Sequence, residues 1–256
     1  MGGSISRLPT HRGSAPTSRA SRSRWRRCWY PERQSLPLGA HFPNREFNRR
    51  VIVRCGLGLD VRRQTEACQD RNRLAKSTMS EPKTNVPFEN SYWVVPHQLL
   101  AGEHPIDVSD ELTLVRLTAL LGAGVRTFVD LTEARENIPS YADLLASLAT
   151  ERKIEVDLHR IAIPDRHVPA PETLRLILDS IDRAIANENP VYVHCFAGIG
   201  RTGTIVGCYL MRHGRAKAPD VIARISELRC LMPCGSDASP HTPEQIEVVM
   251  RWKMGT

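Results

Sequence analysis

The sequence predicts an α/β fold: a central, mostly parallel sheet flanked by helices on both sides, preceded by a basic N-terminal extension that is disordered. Three observations predict it. After Met79, apolar segments of strand length alternate with longer segments of helical period. Val191-Tyr192-Val193 is apolar throughout, as in a strand covered on both faces. Residues 1–78 instead mix Ser, Arg, Pro and Gly with no sustained period, and pieces such as Val51-Ile52-Val53 are too short to build a core.

The ordered part, residues 79–256, reads as one domain. Tyr92-Trp93-Val94-Val95 and Leu99-Leu100 form a short hairpin. Asp107 to Leu121 is a helix with Ser109 as N-cap, ended by Gly122 or Gly124. Val125 to Leu131 is a strand. Pro139 to Glu151 is a helix with Leu144, Leu145 and Leu148 on one face. Ile154 to Ile163 forms one or two strands. Pro171 to Asn187 is an amphipathic helix whose Leu174, Leu176, Ile177, Ile181 and Ile185 face inward. Val191 to His194 is a strand, and helices follow at Thr202–His213, Pro219–Arg229 and Pro243–Trp252.

Charge divides the chain in the same place. Residues 1–78 carry 17 Lys or Arg against 5 Asp or Glu, net +12, which leaves −5 for residues 79–256 out of the total of +7. The basic excess belongs to the extension, so no stable nucleic-acid partner is expected for the domain. For the extension three readings stay open: a basic nucleic-acid or membrane-surface arm, an organellar transit peptide, or a dispensable segment upstream of Met79. Residues 1–31, with seven Arg and no acid, have the transit-peptide composition. No apolar run approaches the roughly 18 residues of a membrane span. The 7 cysteines are odd in number and include no CxxC pair, which argues against a disulfide framework or a structural zinc site and suits a reducing cytoplasm.

The segment from Val191 to Thr204 carries the chemistry. It reads as buried strand, Gly-containing loop, then helix start, which points backbone N–H groups and the positive end of a helix dipole at one spot. Such a loop binds a tetrahedral dianion through the backbone of Phe196, Ala197, Gly198, Ile199 and Gly200. Gly198 and Gly200 allow backbone angles and close approach that a side chain blocks. Arg201 offers a planar, permanently charged fork for two phosphate oxygens. Cys195 sits at the base of this nest, where the same groups favour the nucleophilic thiolate. Thr202 can donate its hydroxyl to the sulfur, and His194 orders the loop by hydrogen bonding. Of the 7 cysteines only Cys195 has an Arg six residues later.

His194-Cys195-x5-Arg201-Thr202 resembles the active-site motif of the protein tyrosine and dual-specificity phosphatase superfamily. The run Ala197 to Thr204 is closest to the tyrosine-specific branch, whereas the length, about 170 residues from Pro87 onward, is nearer the compact dual-specificity branch. No counterpart is seen of the loop that measures phosphotyrosine depth. The resemblance covers the domain only. It implies a phosphocysteine intermediate, no metal or other cofactor, a phosphorylated protein or peptide as substrate, and a monomer. It also implies a general acid on a loop upstream of the cysteine. Pro164-Asp165 lies 30 residues before Cys195 in a Pro-flanked loop and is similar to the family's acid loop, so Asp165 is the expected acid. Asp157 is the fallback. Arg166 and His167 flank the acid, with substrate contact and a plain surface role both open. Gln245 is similar in spacing to a glutamine that positions the hydrolytic water. Read as structure alone, it lies in the exposed first turn of the last helix, capped by Thr242.

Three functions compete. The first is a phosphotyrosine phosphatase, extending to phosphoserine and phosphothreonine. The second is a phosphoinositide phosphatase, disfavoured because Phe196, Ala197 and Ile199 stand where such enzymes place lysines. The third is a phosphate-binding adaptor, disfavoured because Cys, Arg and acid are all present.

Overall fold

The structure is a computed structural model that describes residues 86–233 and 235–256. The extension of residues 1–78 and Cys234 lie outside the described residues. Five strands form one sheet in the order β1-β2-β5-β3-β4. Strand β1 (Ser91–Val95) pairs antiparallel with β2 (Leu99–Gly102) through a turn at His97, whose φ is 59°. Strands β2, β5 (Val191–His194), β3 (Thr127–Asp130) and β4 (Asp157–Arg160) are parallel.

The alternation of side chains along these strands builds two cores, one on each face. Leu99, Ala101, Val129, Val191 and Val193 pack with helices α3 (Pro171–Ala186), α4 (Gly200–Arg212), α5 (Val221–Arg229) and α6 (Pro243–Arg251). Leu100, Phe128 and Tyr192 pack with α1 (Asp110–Gly122) and α2 (Ala142–Arg152). Each of these large side chains is fully buried, which contributes about 1.5–3 kcal/mol apiece.

Ser109 caps α1 as expected, its Oγ accepting from Leu112 N at 3.2 Å. Helix α4 begins at Gly200, so Arg201 and Thr202 lie within its first turn. One expectation for α3 fails. Leu176 is 57% exposed, and the inward stripe is Leu174, Ile177, Leu178, Ile181 and Ala184. Two residues advance a helix by about 200°, which turns Leu176 to the far side from Leu174. Residues Ile154 to Ile163 supply one strand, β4, at the sheet edge. Among the described residues, no helix is long and apolar enough to cross a membrane.

The parallel register places Gly102, His194 and Asp130 on one rung at the carboxyl ends of β2, β5 and β3. Asp157 pairs with Thr127 at the opposite, amino end of β3 and β4. Cys195 follows His194, so the open edge of the sheet carries the site and the fallback acid Asp157 faces away from it.

Candidate active site

The loop from Cys195 to Arg201 leaves β5 and turns into α4. Gly198 has φ +69°, in the left-handed region that disfavours side chains. It also lies against the backbone of β2: a Cβ there would sit 2.5 Å from Gly102 C and 2.7 Å from Glu103 N. Gly200 needs no unusual φ; its constraint is proximity, because a Cβ would stand 3.1 Å from Gln245 Oε1. His104 N donates to Phe196 O at 2.9 Å, so the segment after β2 holds the start of the loop.

Cys195 is buried at the base of the loop, and Thr202, next to Arg201 in the first turn of α4, is fully buried. Arg201 is 2% exposed. Glu136, in a 3-10 turn at Ala134–Glu136, grips its guanidinium at both ends: Nη1 to Oε1 at 2.5 Å and Nη2 to Oε2 at 3.0 Å. Nη1 also donates to the carbonyls of Leu131 at 3.3 Å and Ile163 at 3.1 Å. Burial disfavours the charge on Arg201, but the Glu136 hydrogen bond and the Cys195, Glu136 and Asp165 charges outweigh it and push the guanidinium pKa up. Arg201 Nε and Thr202 Oγ1 are buried donors with no hydrogen-bond partner among the described residues. Two such donors on one helix turn behind a glycine-bent loop are available, Arg201 Nε to an anion's oxygen and Thr202 Oγ1 to the Cys195 sulfur.

Asp165 stands 3.2 Å from Arg201 Nη2, with its side chain 64% exposed. The acid expected from the sequence therefore reaches the phosphate loop. It sits in a tight turn in which His167 N donates to Pro164 O at 3.0 Å, and Arg166 takes the left-handed φ of 63°. A side chain held there stores on the order of 1–3 kcal/mol of strain. Gln245 is also brought in. It is not in an exposed turn but fully buried, wedged between this turn and Gly200. Thr242 does cap α6 through a capping box with Gln245.

Beneath Cys195 lies a buried polar cluster that sequence reasoning missed apart from His194. His194 Nε2 meets the Tyr141 hydroxyl at 2.7 Å, and Nδ1 meets Cys195 O at 3.2 Å. A carbonyl only accepts, so Nδ1 carries the proton and Tyr141 donates to Nε2. Asp130 is fully buried: Oδ1 accepts from Thr132 N and Oγ1, and Oδ2 from Arg160 Nε at 2.8 Å. Burial pushes the His194 imidazole below its ordinary range against the pull of Asp130, and burial, aided by the His194 charge, drives His104 well below it. Burial alone would raise Asp130, but His194 and the Thr132 hydrogen bonds lower it. His104, Asp130 and His194 each bring a potential ligand atom within 4.8 Å of the others. Apart from His104 Nε2, their polar atoms are committed to Thr132, Arg160, Tyr141, Cys195 and Ile106. Because His104 Nδ1 accepts from Ile106 N, Nε2 carries the ring proton, so the group does not offer a metal three free lone pairs. The polar run Thr132 to Glu136 after an apolar strand was the one sequence signal of Glu136.

Cys208 lies in the core of α4, where burial pushes its thiol up to about 12. It has none of the loop around Cys195.

A cysteine at the carboxyl end of a parallel strand, a glycine-bent loop closed by a buried arginine, and an aspartate loop over it define the cysteine-dependent phosphatase class. Comparison with known proteins agrees. Residues 111–215 match a protein-family model described as a polymorphic toxin system DSP-PTPase phosphatase. Dual specificity protein phosphatase CDC14B of Mus musculus is 42% identical over 67 residues, 26% of this chain and 13% of that relative. Dual specificity protein phosphatase CDC14AB of Danio rerio is 60% identical over 40 residues, 16% of this chain and 6% of that relative. The chain thus spans a small part of the curated relatives it matches. Among solved structures, kinase associated phosphatase with its catalytic cysteine changed to serine superposes with a TM-score of 0.50 at 16% identity, covering 62% of this chain and 90% of that one. Over the matched residues the chain is similar to the protein tyrosine/dual-specificity phosphatase superfamily.

Proposed function

We propose that this chain hydrolyses phosphate monoesters in proteins, phosphotyrosine foremost and phosphoserine and phosphothreonine in addition, through a phosphocysteine. The observation that carries this reading is the buried Arg201, clamped by Glu136 and approached by Asp165, with its Nε unpartnered at a loop headed by Cys195. The Cys195 thiolate attacks phosphorus and the bond from phosphorus to the leaving oxygen breaks. Asp165 gives that oxygen a proton as it departs. Arg201 and the loop N–H groups hold the equatorial oxygens as charge shifts among them. A water then attacks the phosphocysteine and Asp165, now a carboxylate, takes its proton. The sulfur–phosphorus bond breaks, Thr202 hydroxyl steadies the returning thiolate, and inorganic phosphate leaves. His194, Tyr141 and His104 position the loop without touching substrate.

Phe196, Ala197 and Ile199 leave the loop interior uncharged, which favours phosphoprotein over inositide substrates. The reading implies a phosphorylated protein or peptide partner and a monomeric enzyme in the cytoplasm. Turnover of p-nitrophenyl phosphate tests it, with phosphopeptide and inositide panels for substrate class. Cys195→Ser and Arg201→Ala should each abolish turnover; full activity in either variant overturns the assignment.

A further inference from the structure

Gln245 carries hydrogen bonds that bear on its role. Its Oε1 accepts from the backbone N–H of His241 at 3.1 Å and of Thr242 at 3.2 Å. Its Nε2 donates to the carbonyl of His167 at 3.1 Å. Two N–H groups on one side and a carbonyl on the other settle which amide atom is which, because a flipped amide would set donor against donor. An amide oxygen has two lone pairs, and both are occupied. Gln245 therefore has no acceptor left for the proton of an attacking water, the role that its spacing in the sequence suggested.

Its one inter-loop bond goes to the acid loop instead. His167 ends the turn that presents Asp165, and its ring Nδ1 lies 2.7 Å from Asp165 O. Asp165 itself reaches Arg201 at 3.2 Å. The acid loop is thus tied to the phosphate loop at one shoulder by an ion pair and at the other to an amide packed against Gly200.

We propose that Gln245 is a positioning residue that latches the acid loop closed, acting on the chemistry through Asp165 rather than by accepting a proton from the attacking water itself. The proposal rests on the phosphatase reading above and assigns the regulation of that same site.

Two variants test it. Gln245→Glu keeps the acceptor that the capping box needs but removes the donor to His167 whenever the new carboxyl is ionised. Gln245→Met removes the donor at every pH. Phenyl phosphate, with its poor leaving group, needs the acid more than p-nitrophenyl phosphate does. Loss of one neutral hydrogen bond should lower phenyl phosphate turnover by roughly two- to tenfold more than p-nitrophenyl phosphate turnover. In Gln245→Glu the effect should fade at low pH, where the protonated carboxyl donates again. Amide hydrogen exchange over residues 164–169 should quicken by a similar factor in Gln245→Met. Breakdown of the phosphocysteine, in which Asp165 acts as the base, should slow together with the leaving-group effect when read after a nitrophenol burst. The proposal is overturned if the leaving-group ratio is unchanged while phosphocysteine breakdown slows, or if exchange over 164–169 is unaltered. Should the unsubstituted protein lack Cys195-dependent turnover, the phosphatase reading falls and the exchange measurement alone decides on the latch.

Discussion

Replacing Glu136 by Gln isolates one contact that organises the whole site. Arg201 is 2% exposed and its two terminal nitrogens both engage the Glu136 carboxylate, at 2.5 and 3.0 Å. Glu136 Oε1 also accepts from Glu133 N at 2.7 Å. In the variant the amide oxygen therefore stays at that end, where Glu133 N and Nη1 converge. The amide nitrogen then faces Nη2, donor to donor. One charge-assisted hydrogen bond is lost, worth about 1.5–3 kcal/mol. The fork is also held less firmly, since the carbonyls of Leu131 and Ile163 hold only Nη1 and Nη2 keeps only the exposed Asp165 carboxylate at 3.2 Å. At about 1.4 kcal/mol per tenfold, kcat/KM for p-nitrophenyl phosphate should fall by roughly 10- to 150-fold. A folded Glu136→Gln protein, judged by its thermal midpoint, that keeps kcat/KM within about twofold would show that Glu136 does not hold the fork. Glu136→Asp, which keeps the charge on a shorter arm, should fall between the two.

Gly198→Ala should cost both stability and rate. The residue adopts φ +69°, and the added carbon would meet backbone atoms of Gly102 and Glu103 at 2.5–2.7 Å, so the loop must move. A displacement of even ~1 Å there should lower kcat by about 100-fold, and the thermal midpoint should drop as well; an unchanged midpoint and kcat would contradict the close approach. Iodoacetamide at neutral pH should label Cys195 and spare Cys208, whose thiol is pushed up to about 12 by burial; mass spectrometry of the digested protein reads this directly. Stability should fall on mild acidification. His104 and His194 bind protons near the ordinary 6.5 when unfolded but only at lower pH when folded, so the unfolded state gains protons first. Stability is then full above about pH 6.5 and declines below it, by up to about 1.4 kcal/mol per pH unit for each histidine. His104→Gln should roughly halve that slope between about pH 6.5 and 5, measured by denaturant unfolding across pH.

What could be read from the chain alone is what lies contiguous in it. Cys195, the loop glycines, Arg201 and Thr202 fall within eight successive residues, and strand-to-helix patterning already sets them in a nest. Pro164-Asp165 was legible because a Pro-flanked aspartate upstream of such a loop resembles the acid loop of a known superfamily. Leu176 shows the limit of composition: it is apolar and lies within the helix, yet about 200° of rotation puts it in solvent. Other features depended on the tertiary structure. Glu136 meets Arg201 across 65 residues, Tyr141 meets His194 across 53, and Gln245 meets His167 across 78. No local pattern encodes those contacts, because they depend on the register that puts Gly102, His194 and Asp130 on one rung and on the packing of α6 over the phosphate loop. The same packing distinguished the two glycines, Gly198 being required for its φ and Gly200 for the side chain that lies against it. The candidate nucleophile and its loop are thus local, whereas the contacts that hold them in place are assembled by the fold and form only once the sheet has brought distant segments together.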